Sequence, residues 1–364
     1  MTEKPFAETQ AGSCCGKTAQ EPAAIVRCCC SGPADKRPAP VIRQTTSEIT
    51  AKNRWDHFLA RWGVNRMGRI VPPGLYRLGN PDKNSPVFAS ANYTLSFDAL
   101  RSALAGTDAW ILVLDTKGIN VWCAAGKGTF GTGELIRRIA MTGLSEVVAH
   151  RRIILPQLGA PGVSAHDVAH YSGFSVEYGP VRARDLPEYL ATHTVTEEMR
   201  TVRFPLADRL VLCPMELVHA FLPMIVVAVV LYFLIGPVAG LAAIAAVLAG
   251  TVLFPALLPV LPFHDFSMKG FLLGAVVAIP FAVTFFDAPG LSGIARIIAV
   301  LVPLLLIPPV VAYLALNFTG STTFTSRTGV KKEIFRYVPA MAAMAGTGTV
   351  LGILLGALRI MGVA

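Results

Sequence analysis

Asn120-Val121-Trp122-Cys123-Ala124-Ala125-Gly126-Lys127 brings an amide, a thiol and an amine into one short stretch. Read as a helix starting at Val121, it puts Asn120 at the N-cap. There the Asn120 side chain accepts the backbone amide of the third helical residue, Cys123. A cysteine in that turn meets unsatisfied N–H groups and the positive end of the helix dipole, a setting that favours a negatively charged sulfur. Asn120, Cys123 and Lys127 are spaced to share one face. Ala124, Ala125 and Gly126 carry almost no side chain, which leaves a large flat partner room to approach the backbone. Trp122, on another face, is expected to anchor the helix in the core. Two plainer readings compete. A phosphate loop needs Gly-x-x-x-x-Gly-Lys-Ser/Thr; here Gly128 follows Lys127 and Val121 holds the place of the upstream glycine. A buried structural cysteine is the other, since free cysteine is usually a core residue.

The elements around the motif must position it. Ala109 to Leu114 reads as a buried strand ending at Asp115, and Asp115-Thr116-Lys117-Gly118 is turn chemistry. Strands are expected at Pro86–Tyr93, Arg152–Leu155 and Ser175–Tyr178. Helices are expected at Phe97–Ala105, Gly133–Gly143, Ser164–Tyr171 and Leu186–Met199. Residues 46 to about 80, with Trp55, Phe58, Trp62 and Tyr76, read as a helix and a connector broken at Pro72-Pro73. Alternating strands and helices imply an α/β, Rossmann-like domain over 46–210, its mostly parallel sheet covered on both faces and topped by a cap helix. Ligands of such sheets bind beyond the carboxyl ends of the strands. The loops there are Asn92-Tyr93, Thr116-Lys117-Gly118, Gln157-Leu158-Gly159-Ala160 and Gly179-Pro180. The candidate cofactor contacts are therefore Asn92, Thr116, Gly118, Leu158, Gly159 and Ala160, with Asn120, Val121, Trp122, Cys123, Ala124, Ala125, Gly126 and Lys127. Each loop alone is ordinary turn chemistry; together they outline a cradle for a macrocycle.

Charge divides the chain. Of 32 Lys/Arg and 23 Asp/Glu, only seven and three follow Glu216. Residues 211–364 have the profile of an all-α membrane domain, with five apolar stretches near Leu217–Ile235, Val238–Leu258, Gly270–Phe286, Ile294–Leu316 and Pro339–Ile360. Kinks are expected at Pro255, Pro259 and Pro262 and at Pro308-Pro309, and close packing at Gly346, Gly348, Gly352 and Gly356. Basic residues in a loop expected at Asn317–Val338, and near Lys269, put those loops and the 46–210 domain in the cytoplasm of an inner-membrane, multi-pass protein. A transporter is disfavoured because the spans are almost free of ionisable residues. The net charge of +9 is spread over both halves and leaves no nucleic-acid footprint. Residues 1–45 read as a disordered tail. Its Cys14, Cys15, Cys28, Cys29 and Cys30 fit no zinc spacing. Adjacent thiolates suit a soft metal such as Hg(II); an incidental Cys-rich tail is the plain alternative. Seven cysteines, several of them vicinal, suggest a reducing compartment rather than a disulfide framework.

The eight residues from Asn120 to Lys127 resemble the cap-helix signature of the membrane-bound corrinoid protein of the bacterial and archaeal mercury-methylation pair. Gly79-Asn80-Pro81, Ser85-Pro86-Val87 and Ala91-Asn92-Tyr93 resemble a segment shared with the corrinoid iron–sulfur protein of the acetyl-CoA pathway. Asn317-Phe318-Thr319-Gly320 and Phe324-Thr325-Ser326 are similar to a segment of the same families. The resemblance implies a cobalamin-type corrinoid with Cys123 as lower axial cobalt ligand, and Lys127 at a polar edge of the ring. It implies transfer of a methyl group from cobalt, as a carbanion equivalent, to Hg(II). It also implies a ferredoxin-like partner with two 4Fe-4S clusters, able to give electrons and potentially mercury, and an upstream methyl-folate donor. A methyl carrier of acetyl-CoA-type one-carbon metabolism and a non-catalytic membrane corrinoid-binding protein are the alternatives. Asp167-Val168-Ala169-His170-Tyr171-Ser172-Gly173 is close to the Asp-x-His-x-x-Gly motif that gives cobalt a histidine. One extra residue turns His170 about 100° away on a helix, so His166 and His170 are read as ordinary helix residues.

Overall fold

A computed structural model describes residues 41–291, 293–322 and 326–361 of the 364-residue chain. The tail cysteines Cys14, Cys15, Cys28, Cys29 and Cys30 lie outside the described residues, as do Phe324 and Thr325.

The α/β domain is a six-stranded sheet with strands β1 Ile42–Thr45, β2 Gly74–Leu78, β3 Val87–Ala91, β4 Ala109–Leu114, β5 Arg152–Leu155 and β6 Ser175–Tyr178, in the order β1-β2-β4-β3-β5-β6. Only the β2–β4 pairing is antiparallel. β4 shows why the central strands read as unbroken apolar runs. Ala109, Ile111 and Val113 enter one core while Trp110, Leu112 and Leu114 enter the other, because side chains alternate across a sheet buried on both faces. Helix α1 (Ala51–Arg61) precedes β2, and α2 (Thr94–Ala103) covers the Ile111 face with Phe97 and Leu100. After β4 the chain forms α3 (Val121–Lys127), α4 (Thr132–Met141) and α5 (Leu144–Val147), and α6 (Ala165–Ser172) follows β5. Leu135 and Ile139 of α4 and Val168 of α6 fill the opposite core. From β3 the chain steps to β4 on one side and then returns to β5 on the other. The C-terminal ends of β3 and β5 thus flank a topological switch point, where open α/β sheets form their ligand crevice.

Three expectations need correction here. Residues 42–45, placed in the tail, form edge strand β1, paired with β2 from Ile42↔Leu75 to Thr45↔Leu78. The connector after Pro73 is strand β2. The helix expected over Leu186–Met199 is two, α7 (Leu186–Thr192) and α8 (Glu197–Arg200), because His193 turns into the left-handed region at φ 52° and ends the first.

The C-terminal region has α9 (Leu206–Leu210), α10 (Cys213–Leu234), α11 (Pro237–Leu248), α12 (Phe254–Leu257), α13 (Phe266–Phe286), α14 (Gly293–Phe318) and α15 (Arg327–Ile360). Among the described residues they make five stretches long and apolar enough to cross a membrane. The expected kink near Pro255 takes the form of a π-turn at Ala249–Leu253, a local rewinding next to a residue with no N–H. α14 instead stays helical through Pro303, Pro308 and Pro309. The closest helix crossing is not built on the α15 glycines. A Cβ on Gly270 would lie 2.5 Å from the Ala312 Cα, and one on Gly274 2.5 Å from the Pro308 Cα. Of Gly346, Gly348, Gly352 and Gly356, only Gly348 is so tightly opposed. The loop expected at Asn317–Val338 is mostly the first turns of α15.

Candidate functional site

The β4–α3 connection is held by one buried side chain. Asn92, 2% exposed at the end of β3, accepts on Oδ1 from the Thr116 amide (3.1 Å), the Thr116 hydroxyl (2.8 Å) and the Gly118 amide (3.0 Å). Its Nδ2 donates to Asp115 Oδ1 at 3.2 Å. These bonds fix the path from β4 into α3. Asn120 then caps α3 as expected, its Oδ1 accepting the Cys123 amide at 3.0 Å. Cys123 is partly exposed in that first turn.

α3 lies against the Gln157–Gly162 turn that follows β5. The approach is so close that a Cβ on Gly162 would sit 2.2 Å from the Phe130 carbonyl oxygen and 3.0 Å from the Ala125 Cα. A Cβ on Gly159 would meet the Phe130 ring at 2.6 Å. The small residues therefore have a different use from the one expected. Ala124 and Ala125 are buried and let α3 seat on this turn, and Gly159 makes room for Phe130. Gly126 and Lys127 are exposed, with open space where a Gly126 side chain would be.

A cavity of about 370 Å³ opens at the switch point. Asn120, Val121 and Trp122 of the motif and Leu158 of the β5 loop line it, with Ser90 of β3 and Ser96 of α2. Trp122 is thus a half-buried wall of the cavity rather than a core anchor. The structure brings Asn120, Val121, Trp122 and Leu158 to one opening; Cys123, next in the same helical turn, is partly exposed but does not itself line the cavity. Asn92, Thr116 and Gly118 stand behind it as supports, their polar atoms already engaged. Ala160 is half-buried in the turn but does not line the cavity. Ser90 and Ser96 were missed. Ser90, a lone hydroxyl inside the apolar strand Val87–Ala91, was the available signal.

His166 and His170 are exposed on α6 and line no cavity wall here. Among the described residues, no three His, Cys, Asp or Glu side chains converge to hold a metal ion. At the Gly162 turn, burial pushes the Tyr178 phenol above its usual 10.0, and its hydroxyl donates to the Val163 carbonyl at 2.6 Å.

Residues 66–190 match the family model of the CO dehydrogenase/acetyl-CoA synthase delta subunit. Part of the chain is also similar to subunits of acetyl-CoA decarbonylase/synthase complexes. The acetyl-CoA decarbonylase/synthase complex subunit gamma of Methanopyrus kandleri is 38% identical over 123 residues, 33% of this chain and 26% of that protein. The same subunit of Methanothermobacter thermautotrophicus is 32% identical over 169 residues, 41% of this chain and 36% of the relative. That of Methanocaldococcus jannaschii is 32% identical over 127 residues, 34% of this chain and 26% of the relative. The chain thus spans only about a quarter to a third of the length of these relatives. The family-model match ends before the apolar helices begin.

Proposed function

We propose that this chain is a membrane-anchored corrinoid methyl carrier, its α/β domain (from β1 to about residue 210) holding the corrinoid at the β3–β5 crevice, where Cys123 would hold the metal. One observation carries this reading: Cys123 is partly exposed in the first turn of a helix that walls an apolar cavity, inside the segment similar to acetyl-CoA-complex subunits. The residues suit the group. Val121, Trp122 and Leu158 offer apolar contact to a macrocycle, and one soft sulfur is the ligand such a metal still needs. When bound, a corrinoid supplies a cobalt centre that takes up and releases a methyl group.

The chain's own residues would then act as follows. Asn120 and Asn92 hold the first turn of α3 in place, so that Cys123 presents its sulfur in a fixed position. The apolar walls would keep water from the bound group. Lys127, exposed at the far end of the helix, would pair with a polar edge of the ring. The names of the similar proteins favour a carrier within acetyl-CoA-type one-carbon metabolism over mercury methylation as the setting.

A second acceptor, Hg(II) as substrate, is favoured by the ligand type. Thiolates are strong, soft donors, and a sulfur held at Cys123 would make the bound group a donor of a methyl carbanion equivalent suited to a soft electrophile. The complete Asn120–Lys127 motif and the apolar helices, which lie beyond the matched segment, add support. Under the Hg(II) reading a separate ferredoxin-like protein with two 4Fe-4S clusters would restore the reduced state after each transfer; under either reading a methyl-folate system would supply the methyl group. The linker from the α/β domain meets the ends of α13 and α15 that carry Lys269, Lys331, Lys332 and Arg336. Positive-inside counting puts that side, with the domain, in the cytoplasm. Anaerobic reconstitution with a methylated corrinoid separates the acceptors. Methyl transfer to Hg(II) supports the second, transfer to a carbonyl-forming enzyme the first, and failure to retain corrinoid at all sinks both.

A further inference from the structure

A second cavity, of about 750 Å³, lies where the α/β domain joins the apolar helices. Residues 203–205, α9, the turn after α12 and the starts of α13 and α15 enclose it. Arg203, Arg209, Lys269, Lys332 and Arg336 face it against two carboxylates, Asp265 and Glu333. Both carboxylates are engaged within the fold. Buried Glu333 accepts from the Phe266 amide (3.2 Å), the Ser267 amide (3.0 Å) and the Ser267 hydroxyl (2.9 Å), and so caps α13. Asp265 Oδ2 accepts the Tyr337 hydroxyl at 2.7 Å.

The cations keep donors in reserve. Arg209 is 8% exposed and gives Nη1 to the Pro255 and Ala256 carbonyls at 2.8 and 2.7 Å. Its Nε is buried with no partner, a costly state for a charged donor. The half-buried Lys269 ammonium has three donors and gives one to the Leu258 carbonyl at 2.9 Å. Lys332 and Arg336 are exposed on the first turns of α15; Arg203 is paired with Glu198.

We propose that this cavity binds a phosphate-bearing anion, whose oxygens take up the free donors of Lys269, Lys332 and Arg336, with the buried Arg209 guanidinium adding its charge. Its position at the ends of the apolar helices is the level of lipid headgroups, where basic clusters recruit anionic lipid. An anionic phospholipid headgroup and a free phosphate share this chemistry. The site would hold the α/β domain against the membrane surface, apart from the β3–β5 crevice and independent of what that crevice binds.

The test uses the full-length chain in neutral detergent. Native mass spectrometry reads retention of phosphatidylglycerol against phosphatidylcholine, and a second arm reads the melting-temperature rise on adding inorganic phosphate. The double variant Lys332→Ala/Arg336→Ala changes exposed residues, and circular dichroism checks its fold. Each cation near a surface contributes about a fivefold factor, so the double variant is expected to retain roughly thirtyfold less phosphatidylglycerol, with little phosphatidylcholine bound by either protein. A phosphate-induced shift lost in the double variant, without selective lipid retention, would support the site with a free anion as ligand. The proposal is overturned if neither arm distinguishes the wild type from the folded double variant.

Discussion

Replacing Asn92 by alanine tests how the site is held together. The change deletes an acceptor shared by the Thr116 amide, the Thr116 hydroxyl and the Gly118 amide, and a donor to Asp115. Thr116 and Gly118 are buried, so water does not readily replace the lost partner. The Thr116 hydroxyl has the Ile119 carbonyl at 2.7 Å to turn to; the two backbone amides have no such substitute. A buried donor left unsatisfied costs about 1–3 kcal/mol, and two of them near the lower half of that range give about 2–4 kcal/mol. Hydrogen exchange by mass spectrometry on the full-length chain reads this as local opening. Protection over residues 115–119 should fall roughly thirtyfold to a thousandfold, since about 1.4 kcal/mol is a factor of ten. Asn92→Asp keeps the acceptor but sets a second carboxylate against Asp115, so it should lose less. Unchanged protection in Asn92→Ala would refute the claim that this side chain fixes the path into α3.

Gly162→Ala forces a Cβ to within 2.2 Å of the Phe130 carbonyl oxygen; we expect about 2–4 kcal/mol of destabilisation, read by thermal melts, and corrinoid retention falling with it. Asn120→Ala removes the α3 cap and should cost about 1 kcal/mol, seen as faster exchange at Cys123 with the rest of the sheet unaffected. Tyr178 is pushed above 10.0 by burial, so its neutral form is the one the fold favours. Its contribution is full below the unfolded value and is lost as pH rises through the higher folded value. Alkaline titration should therefore show a shallower loss of stability above pH ~10 in Tyr178→Phe than in the wild type.

Much of the frame was legible from the residues. Ala109–Leu114, Arg152–Leu155 and Ser175–Tyr178 are strands close to the bounds their patterns give; for central β4, burial on both faces leaves a long apolar run between turn residues. The Asn120 cap was readable because capping is local chemistry. What escaped depended on distant partners. Ile42-Arg43-Gln44-Thr45 has little apolar content and becomes a strand only by pairing with β2. The break at His193 is a single backbone conformation inside a helix-like pattern. Ala124, Ala125 and Gly159 carried an ambiguous signal: a missing side chain suits a ligand or a close backbone neighbour, and here the neighbours are the Gly162 turn and Phe130. Trp122 lies on a different helix face from Cys123, which suggests the core, but α3 turns its alanines inward and leaves the indole at the cavity.

The most direct test of the central claim is X-ray absorption at the cobalt edge on the full-length chain loaded anaerobically with corrinoid, compared between wild type, Cys123→Ala and Cys123→His. The account predicts a sulfur neighbour of cobalt in the wild type. That neighbour should be missing from Cys123→Ala, together with methyl transfer, and replaced by nitrogen in Cys123→His with altered transfer. A wild-type spectrum with only nitrogen and oxygen around the metal, or a sulfur signal that survives in Cys123→Ala, would contradict it.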